Sequence, residues 1–437
     1  MTPAARVQTA IELLEEWDRT HQPADRLLQR WGRTHRYAGS KDRTAINAHV
    51  YTVLRRRNEL AAAIGSETPR ALTLAALHVI DGLSVGDIAL IAHEGPHAAG
   101  ALTDAERDAL AAAQLPGPDA PRHMRCNYPL WLEAELEAAF ASGLEAEMAA
   151  MTGRAPLDLR VNLLKTDRVA AQTALQKLDI MAAQTPWSPW GLRLPDRTNI
   201  MASGPYREGL VEIQDEGSQI ACLAAGAMPG EQIVDLCAGG GGKTLALAAA
   251  MANKGQIYAC DIDARRLGRL APRLERAGVR NAQRRLLPLW RSGPDPDLDD
   301  LTARADCVFI DAPCSGTGTW RRAPDARWRL TPEDLETYRQ AQRDVLDRAA
   351  RLVRPGGRLV YVTCSFLPSE NTAQIERFRD AHPAFTPMPW DNFWPLSIPK
   401  PPSLLARPGG SAHSLQLTPK GADTDGFFVA IMRREET

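Results

Sequence analysis

The stretch Ile233-Val234-Asp235-Leu236-Cys237-Ala238-Gly239-Gly240-Gly241-Gly242-Lys243-Thr244 reads as a short buried strand, a glycine-rich turn and the start of a helix. Glycines at such a turn let the backbone bend tightly and come close to a ligand. The helix that follows offers unsatisfied N–H groups at its first turn. Working outward, Gln256 to Cys260 is a second strand and Asp263 to Ala277 its helix. Asp306 to Ile310 is a strand, Pro332 to Val353 a long helix, Gly357 to Thr363 a strand, Glu370 to Asp380 a helix and Gly426 to Met432 a last strand. This alternation predicts an α/β fold, a mostly parallel sheet with helices on both faces.

Three ligands suit the glycine turn. A P-loop requires Gly six positions before the Lys, where Cys237 stands, so that match fails at its first glycine. A nucleotide hydrolase therefore remains only a remote alternative, kept open by the apolar strand ending in Asp311. A dinucleotide fingerprint finds Gly239 and Gly241 but meets Thr244 at its third glycine. S-adenosylmethionine, which has no phosphate, needs a carboxylate for its ribose at the end of the second strand. Asp261 sits there with Asp263 beside it, at a spacing that also suits NAD.

The chain has 437 residues, 44% hydrophobic and 24% charged, with a net charge of −1. That is the balance of a globular protein of two or three domains. No apolar run reaches the roughly 18 residues of a membrane span. Met1 to Glu15 lacks the basic and apolar parts of a secretory signal, so a cytoplasmic protein is expected. Global charge makes no case for a nucleic-acid partner, but local charge does. Arg26, Arg30, Arg33, Arg36, Lys41, Arg43, Arg55, Arg56 and Arg57 face only Asp42 within their run. Arg265, Arg266, Arg269, Arg273, Arg276, Arg280, Arg284 and Arg285 face only Glu275. Each run is read either as a phosphate-binding patch or as a solvated helix face.

Residues 1 to about 115 read as helical, with apolar residues such as Ile11, Leu14 and Trp17 on one face. Pro116, Pro118 and Pro121 mark a break. Residues 123 to about 213 are mixed: a helix from Trp131 to Met151, a strand from Leu157 to Leu163, a helix from Arg168 to Leu178, then short strands near Gly191–Leu194 and Leu210–Gln214. The Pro-rich stretch 396–410 reads as a loop.

Seven cysteines at wide spacing, with no C-x-x-C pair, argue against a disulfide framework and against zinc. Most are expected to be small buried hydrophobes, as Cys307 within its strand. Cys314 and Cys364 differ. Each follows an apolar strand and precedes small polar residues, in Asp311-Ala312-Pro313-Cys314-Ser315-Gly316-Thr317-Gly318 and in Val362-Thr363-Cys364-Ser365. In open α/β sheets the ligand lies beyond such strand ends.

On these residues the chain resembles the RsmB/NOP/NSUN RNA (cytosine-5) methyltransferases, over roughly residues 125 to 435. The similarity continues through Arg321-Arg322-Ala323-Pro324-Asp325 and Trp328, and through Pro355-Gly356-Gly357-Arg358 up to Cys364, then Glu370-Asn371. Leu159-Arg160-Val161-Asn162, Gln214-Asp215-Glu216-Gly217-Ser218-Gln219 and Asp425-Gly426-Phe427-Phe428 add to it. The resemblance implies a Rossmann-like methyltransferase domain over 214–437, a small α+β, RRM-like RNA-binding subdomain over 123–213 and a helical NusB-like RNA-binding domain over 1–122. The last rests on Ser40-Lys41-Asp42-Arg43 and Val50 to Arg57.

The resemblance also implies roles. Cys364 would be the nucleophile, Cys314 would assist product release and Asp311 would contact the cytosine. Cys237, Ala238, Gly239, Gly240, Gly241, Gly242, Lys243, Asp261, Arg266 and Asp311 would hold S-adenosylmethionine. Arg321 and Arg322 are close enough in sequence to favour a thiolate. The implied activity is methylation of cytosine carbon 5 in RNA, with small-subunit rRNA ahead of tRNA, by a monomer without metal or membrane. A non-catalytic assembly factor on the same fold is the other alternative. Two departures stand out. Gly239-Gly240 replaces the family's usual Ala-Pro, which predicts a looser turn. The run Arg284-Arg285-Leu286-Leu287-Pro288-Leu289 lacks the acid that the family places near adenine.

Overall fold

The computed structural model describes residues 1–195, 198–290, 292–403 and 413–436. The chain divides into two compact units. One comprises Met1–Arg154 together with Trp320–Thr331, the other Ala155–Thr319 together with Pro332–Thr437.

The first unit is helical. Helices Pro3–Thr20, Ala24–Thr34, Ser40–Arg55, Arg57–Ile64 and Pro69–Val79 enclose one core that includes Leu14, Trp17, Leu27, Ile46, Val53, Leu60 and Leu72. The first helix starts where Thr2 accepts a hydrogen bond from the Ala5 N–H and Pro3 takes the first helical position. Ile11, Leu14 and Trp17 are all buried, as their helical spacing requires. The later segment 320–331 completes this unit. The Trp328 indole packs against the core and donates to the Leu54 carbonyl at 2.6 Å. Arg327 is fully buried and donates to the Asn127 carbonyl at 2.7 Å.

The second unit holds two sheets. The smaller one is antiparallel, built from β1 (Leu157–Val161), β2 (Ala183–Gln184), β3 (Gly191–Leu194) and β4 (Val211–Ile213) in the order β2-β3-β1-β4. Strand alternation sends Leu159 and Val161 toward the helix Arg168–Gln176, where they meet Ala171 and Leu175. Arg160 points the other way and donates to the Gly242 carbonyl at 2.6 Å, which ties the small sheet to the glycine turn.

The larger sheet contains β5 (Gln232–Asp235), β6 (Gln256–Asp261), β7 (Ala282–Leu286), β8 (Ala305–Asp311), β9 (Val353–Thr363), β10 (Phe385–Met388), β11 (Ser414–Leu417) and β12 (Phe427–Arg434). Its order among the described residues is β10-β12-β9-β8-β5-β6-β7, with β11 beside β12. The strands from β9 across to β7 are parallel. β12 joins antiparallel to β9. Val234 and Ile310 bury into the core on one face with Leu346, while Ile233 and Phe309 bury into that on the other with Leu247. Strand order reverses at β5, between β8 and β6, and this switch point opens a crevice at the carboxyl ends of the strands.

Some elements differ from the sequence reading. The helix expected over 263–277 is two, Ala264–Gly268 and Leu270–Ala277. Pro272 has no N–H for the Gly268 carbonyl, so the first helix cannot run on. The helix expected from Glu370 begins at Thr372. Residues 396–403 carry no helix or strand, and the rest of the stretch to 410 lies outside the described residues.

Candidate active site

Adjacent parallel strands place their exits side by side, and β8 and β9 each exit into a cysteine loop. The Cys314 and Cys364 sulfurs lie 3.4 Å apart. Cys314, Cys364 and Cys237 are half-buried, whereas Cys126, Cys222, Cys260 and Cys307 are buried. So the partly accessible thiols are the ones at strand exits. Contact with Cys364, burial and the nearby Glu370 push the Cys314 thiol well above its ordinary range. Either thiol can donate in the S–H···S contact.

The thiol pair is held from behind by Glu370. One oxygen of its buried carboxylate accepts from the Ser315 N–H at 2.8 Å and from the Gln342 amide at 3.0 Å. The other accepts from the hydroxyls of Ser315 and Ser365, both at 2.5 Å. Ser315 follows one cysteine and Ser365 the other, so one carboxylate ties the two loops together. Burial raises the Glu370 carboxyl above its ordinary range, against the pull of these hydrogen bonds. Asn371 accepts from the Thr363 hydroxyl at 2.6 Å and donates to the Ser365 carbonyl at 2.9 Å. Gly318 donates to the Cys364 carbonyl at 2.9 Å and accepts from the Gly426 N–H at 2.8 Å. A side chain on Gly318 would meet the Gly426 backbone at 2.3 Å, which accounts for glycine at this crossing.

The glycine turn lies at the exit of β5. Gly239 and Gly241 have φ of 54° and 83°, the left-handed region. The turn is well tethered. The Ala238 N–H donates to the Cys260 carbonyl at 2.8 Å and the Gly239 N–H to Asp261 at 2.7 Å. Arg273 donates to the Gly240 carbonyl at 2.5 Å. A glycine at 239 also adopts its left-handed angle without the strain that a Cβ brings. Asp261 is buried at the end of β6, its other oxygen accepting from the Asp263 N–H at 2.8 Å. Arg266 lies against Gly239, close enough that a Cβ there would meet its guanidinium at 2.8 Å.

Lys243 reaches across the switch point to Asp311 at 2.7 Å. Burial opposes its charge, but Asp311 and the sulfurs of Cys222 and Cys364 outweigh burial and raise it. Its ammonium sits 5.2 Å from the Phe427 ring. The side chain thus bonds to a carboxylate of β8, an arrangement unlike a lysine left open for phosphates. Behind it Asp235 is buried, accepts from the Thr244 hydroxyl at 2.6 Å and is pushed up to about 7, chiefly by burial. Leu286 ends β7 and Leu287 follows it, and no acid stands there.

These residues fit S-adenosylmethionine. Asp261 and Asp311 bracket the crevice with carboxylates suited to ribose hydroxyls and to a cationic ligand. Gly239 and Gly241 take left-handed angles that shape the turn. Among the described residues, no group of His, Cys, Asp and Glu is placed to hold a metal ion. No helix is long and apolar enough to cross a membrane. The predicted site residues, Cys237 to Lys243, Asp261, Arg266, Asp311, Cys314 and Cys364, all gather at this one edge of the sheet. Arg321 and Arg322 instead belong to the segment counted with the helical unit. Glu370 and Asn371 were visible only as part of a family motif. Their sign in the sequence is an acid and an amide in a short interval between a cysteine loop and a helix.

A doubly wound sheet with a glycine turn at its switch point, a ribose-type acid on the next strand and this pair of exits defines an S-adenosylmethionine-dependent methyltransferase. A family model described as 16S rRNA methyltransferase RsmB/F matches residues 223–433, and one described as the Methyltr_RsmF/B-like, ferredoxin-like domain matches residues 128–201. The probable ribosomal RNA small subunit methyltransferase B of Synechocystis sp. is 34% identical over 316 residues, 70% of this chain and 67% of that one. The ribosomal RNA small subunit methyltransferase B of Sodalis glossinidius is 32% identical over 339 residues, 76% and 69% of the two chains. The crystal structure of PH0851 superposes with a TM-score of 0.76 at 25% identity and covers 99% of both chains. The chain belongs to the RsmB/F family of rRNA methyltransferases.

Proposed function

We propose that this chain methylates carbon 5 of a cytosine in small-subunit ribosomal RNA, in the cytoplasm, by covalent catalysis through Cys364. The relatives' names support the substrate, and the thiol pair 3.4 Å apart at the exits of β8 and β9 carries the mechanism. The bound cofactor supplies a methyl group on a positively charged sulfur. Carbon 5 of cytosine is a weak nucleophile toward it. Addition of the Cys364 thiolate to carbon 6 places electron density on carbon 5, which splits one hard step into two easier ones. Asp311 contacts the cytosine, and the ammonium of Lys243, bonded to Asp311, offsets the negative charge that thiolate addition places on the ring. After methyl transfer a base removes the carbon 5 proton and the carbon 6–sulfur bond breaks, returning the electron pair to Cys364. Cys314 assists this release. It sits in contact with the departing sulfur. The small α+β subdomain over 123–213 and the helical domain over 1–122 act in RNA binding.

The test uses small-subunit rRNA, labelled S-adenosylmethionine and the full chain. Cys364→Ala is expected to abolish methyl transfer while binding cofactor nearly as before. Cys314→Ala is expected to trap a protein–RNA adduct, seen as a slow band on a denaturing gel. An active Cys364→Ala enzyme overturns the assignment.

A further inference from the structure

In the first basic run, several positive charges already have structural partners. Arg30 pairs with Glu16, Arg56 with Glu59 and Arg57 with Asp18. Arg43 donates to the Ala38 carbonyl at 3.0 Å, inside the elbow between helices Ala24–Thr34 and Ser40–Arg55. Arg26, Arg36 and Lys41 are exposed and have no ion pair among the described residues. Arg33 meets the Gln29 carbonyl of its own helix at 3.4 Å. Arg33, Arg36 and Lys41 flank Tyr37 in the sequence of the elbow, and Tyr37 is 72% exposed.

The aromatic arrangement there is built rather than incidental. Trp31 and His35 stack with centroids 4.8 Å apart at 13°. Tyr37 meets His35 edge-on at 5.8 Å. The backbone beneath is pinned. The Ala38 N–H donates to the His35 carbonyl at 3.1 Å, and Ala38 itself is buried. Asp42, the acid within the run, accepts from the Gly39 N–H at 3.1 Å. It is also tied to Arg6 at 2.8 Å and to the terminal amine at 3.2 Å. So the acid is turned inward and neutralised, while Tyr37 projects outward from a rigid elbow among unpaired cations.

We infer that the elbow around Tyr37 is a stacking platform for an unpaired stretch of RNA, its phosphates met by Arg33, Arg36 and Lys41. This rests on the reading of the substrate as RNA and specifies which face grips it and in what form. A flat exposed ring among positive charges suits a base with its flanking phosphates, because stacking tolerates any base and the charges follow the backbone. Duplex RNA, with its bases stacked internally, gains nothing from the ring.

The experiment measures binding of the full chain to a labelled oligouridine strand and to a blunt RNA duplex of the same length, over a range of salt. Tyr37→Ala is expected to weaken oligouridine binding about tenfold and to leave duplex binding unchanged. Tyr37→Phe should bind as the wild type does. Arg36→Glu with Lys41→Glu should reduce the salt slope by about 0.7 for each lost phosphate contact. All variants should melt as the wild type, since these side chains lie outside the core. Unchanged oligouridine affinity in Tyr37→Ala overturns the platform, as does an equal loss on the duplex. Methyl transfer to small-subunit rRNA is assayed on the same preparations. A wild type that transfers nothing overturns the substrate reading and leaves the Tyr37 comparison standing on its own.

Discussion

The exits of β8 and β9 and the exits of β5 and β6 lie along one edge of one sheet, yet they are held in opposite ways. The cysteine loops are cross-linked by buried side chains, with Glu370 and Asn371 bonded to residues on either side of the thiols. The glycine turn is held through its own backbone, by Asp261 and by guanidinium groups that reach its carbonyls. In the proposed mechanism two sulfurs share one ring carbon's surroundings, and that needs fixed positions. On the proposed reading the turn carries the cofactor through its backbone. The placement of the thiols thus depends on a single buried carboxylate, and the glycine turn is held by several tethers.

Substitutions at three positions break or sharpen this contrast. Glu370→Ala is expected to have the largest effect. It leaves the Ser315 N–H, the Gln342 amide and two hydroxyls without their acceptor, at about 2–4 kcal/mol of stability. Misplaced thiols should lower kcat about 100-fold, with little change in cofactor Kd. Glu370→Gln should fall between, because the hydroxyls of Ser315 and Ser365 can turn to accept from its amide. Equal kcat for Glu370→Ala and wild type breaks the contrast. Asp261→Ala comes next. It removes one tether of the turn and, on the proposed reading, a ribose partner, and calorimetric titration should show cofactor binding about 10- to 100-fold weaker, with kcat at saturating cofactor largely kept.

The smallest effect concerns Asp235, whose carboxyl is pushed up to about 7. Its folded value lies above the unfolded one, so the folded state holds the extra proton. The stability this brings is complete below about pH 4 and is lost as pH rises to about 7. Asp235→Asn mimics the protonated form and lacks this titration. The gap in melting temperature, variant minus wild type, should grow between pH 5 and pH 8. A gap independent of pH means the acid is not held neutral.

Much of this was legible in the sequence, for a physical reason. β5, β6, β8 and β9 are buried strands of parallel type, so their apolar runs stand out and end at the residues that face the crevice. β7 was not assigned from periodicity, because Ala282-Gln283-Arg284-Arg285-Leu286 is an edge strand with little burial and so little hydrophobic signal. β11 escaped because Ser414 and Gln416 are polar yet buried, and the Gln416 amide is satisfied by the carbonyls of Leu417 and Phe427. The second basic run shows where charge patterning stops informing. Arg273 and Arg276 pair with Glu212, far away in sequence, and Arg285 with Asp300 at 2.7 Å. Such pairings depend on the fold and leave no local mark. The role of Glu370 was hidden likewise, since its partners come from three separate segments.

The helical unit borrows Trp320–Thr331 from late in the chain, and this bears on how the protein emerges from the ribosome. Domains of a nascent chain commonly fold in order from the N-terminus. Here the first unit cannot close over Trp328 and Arg327 until the polypeptide has been made past residue 331. By then most of the parallel strands already exist as chain. The two units must therefore mature together, and a gene cut between them yields an N-terminal fragment missing a piece of its own interior.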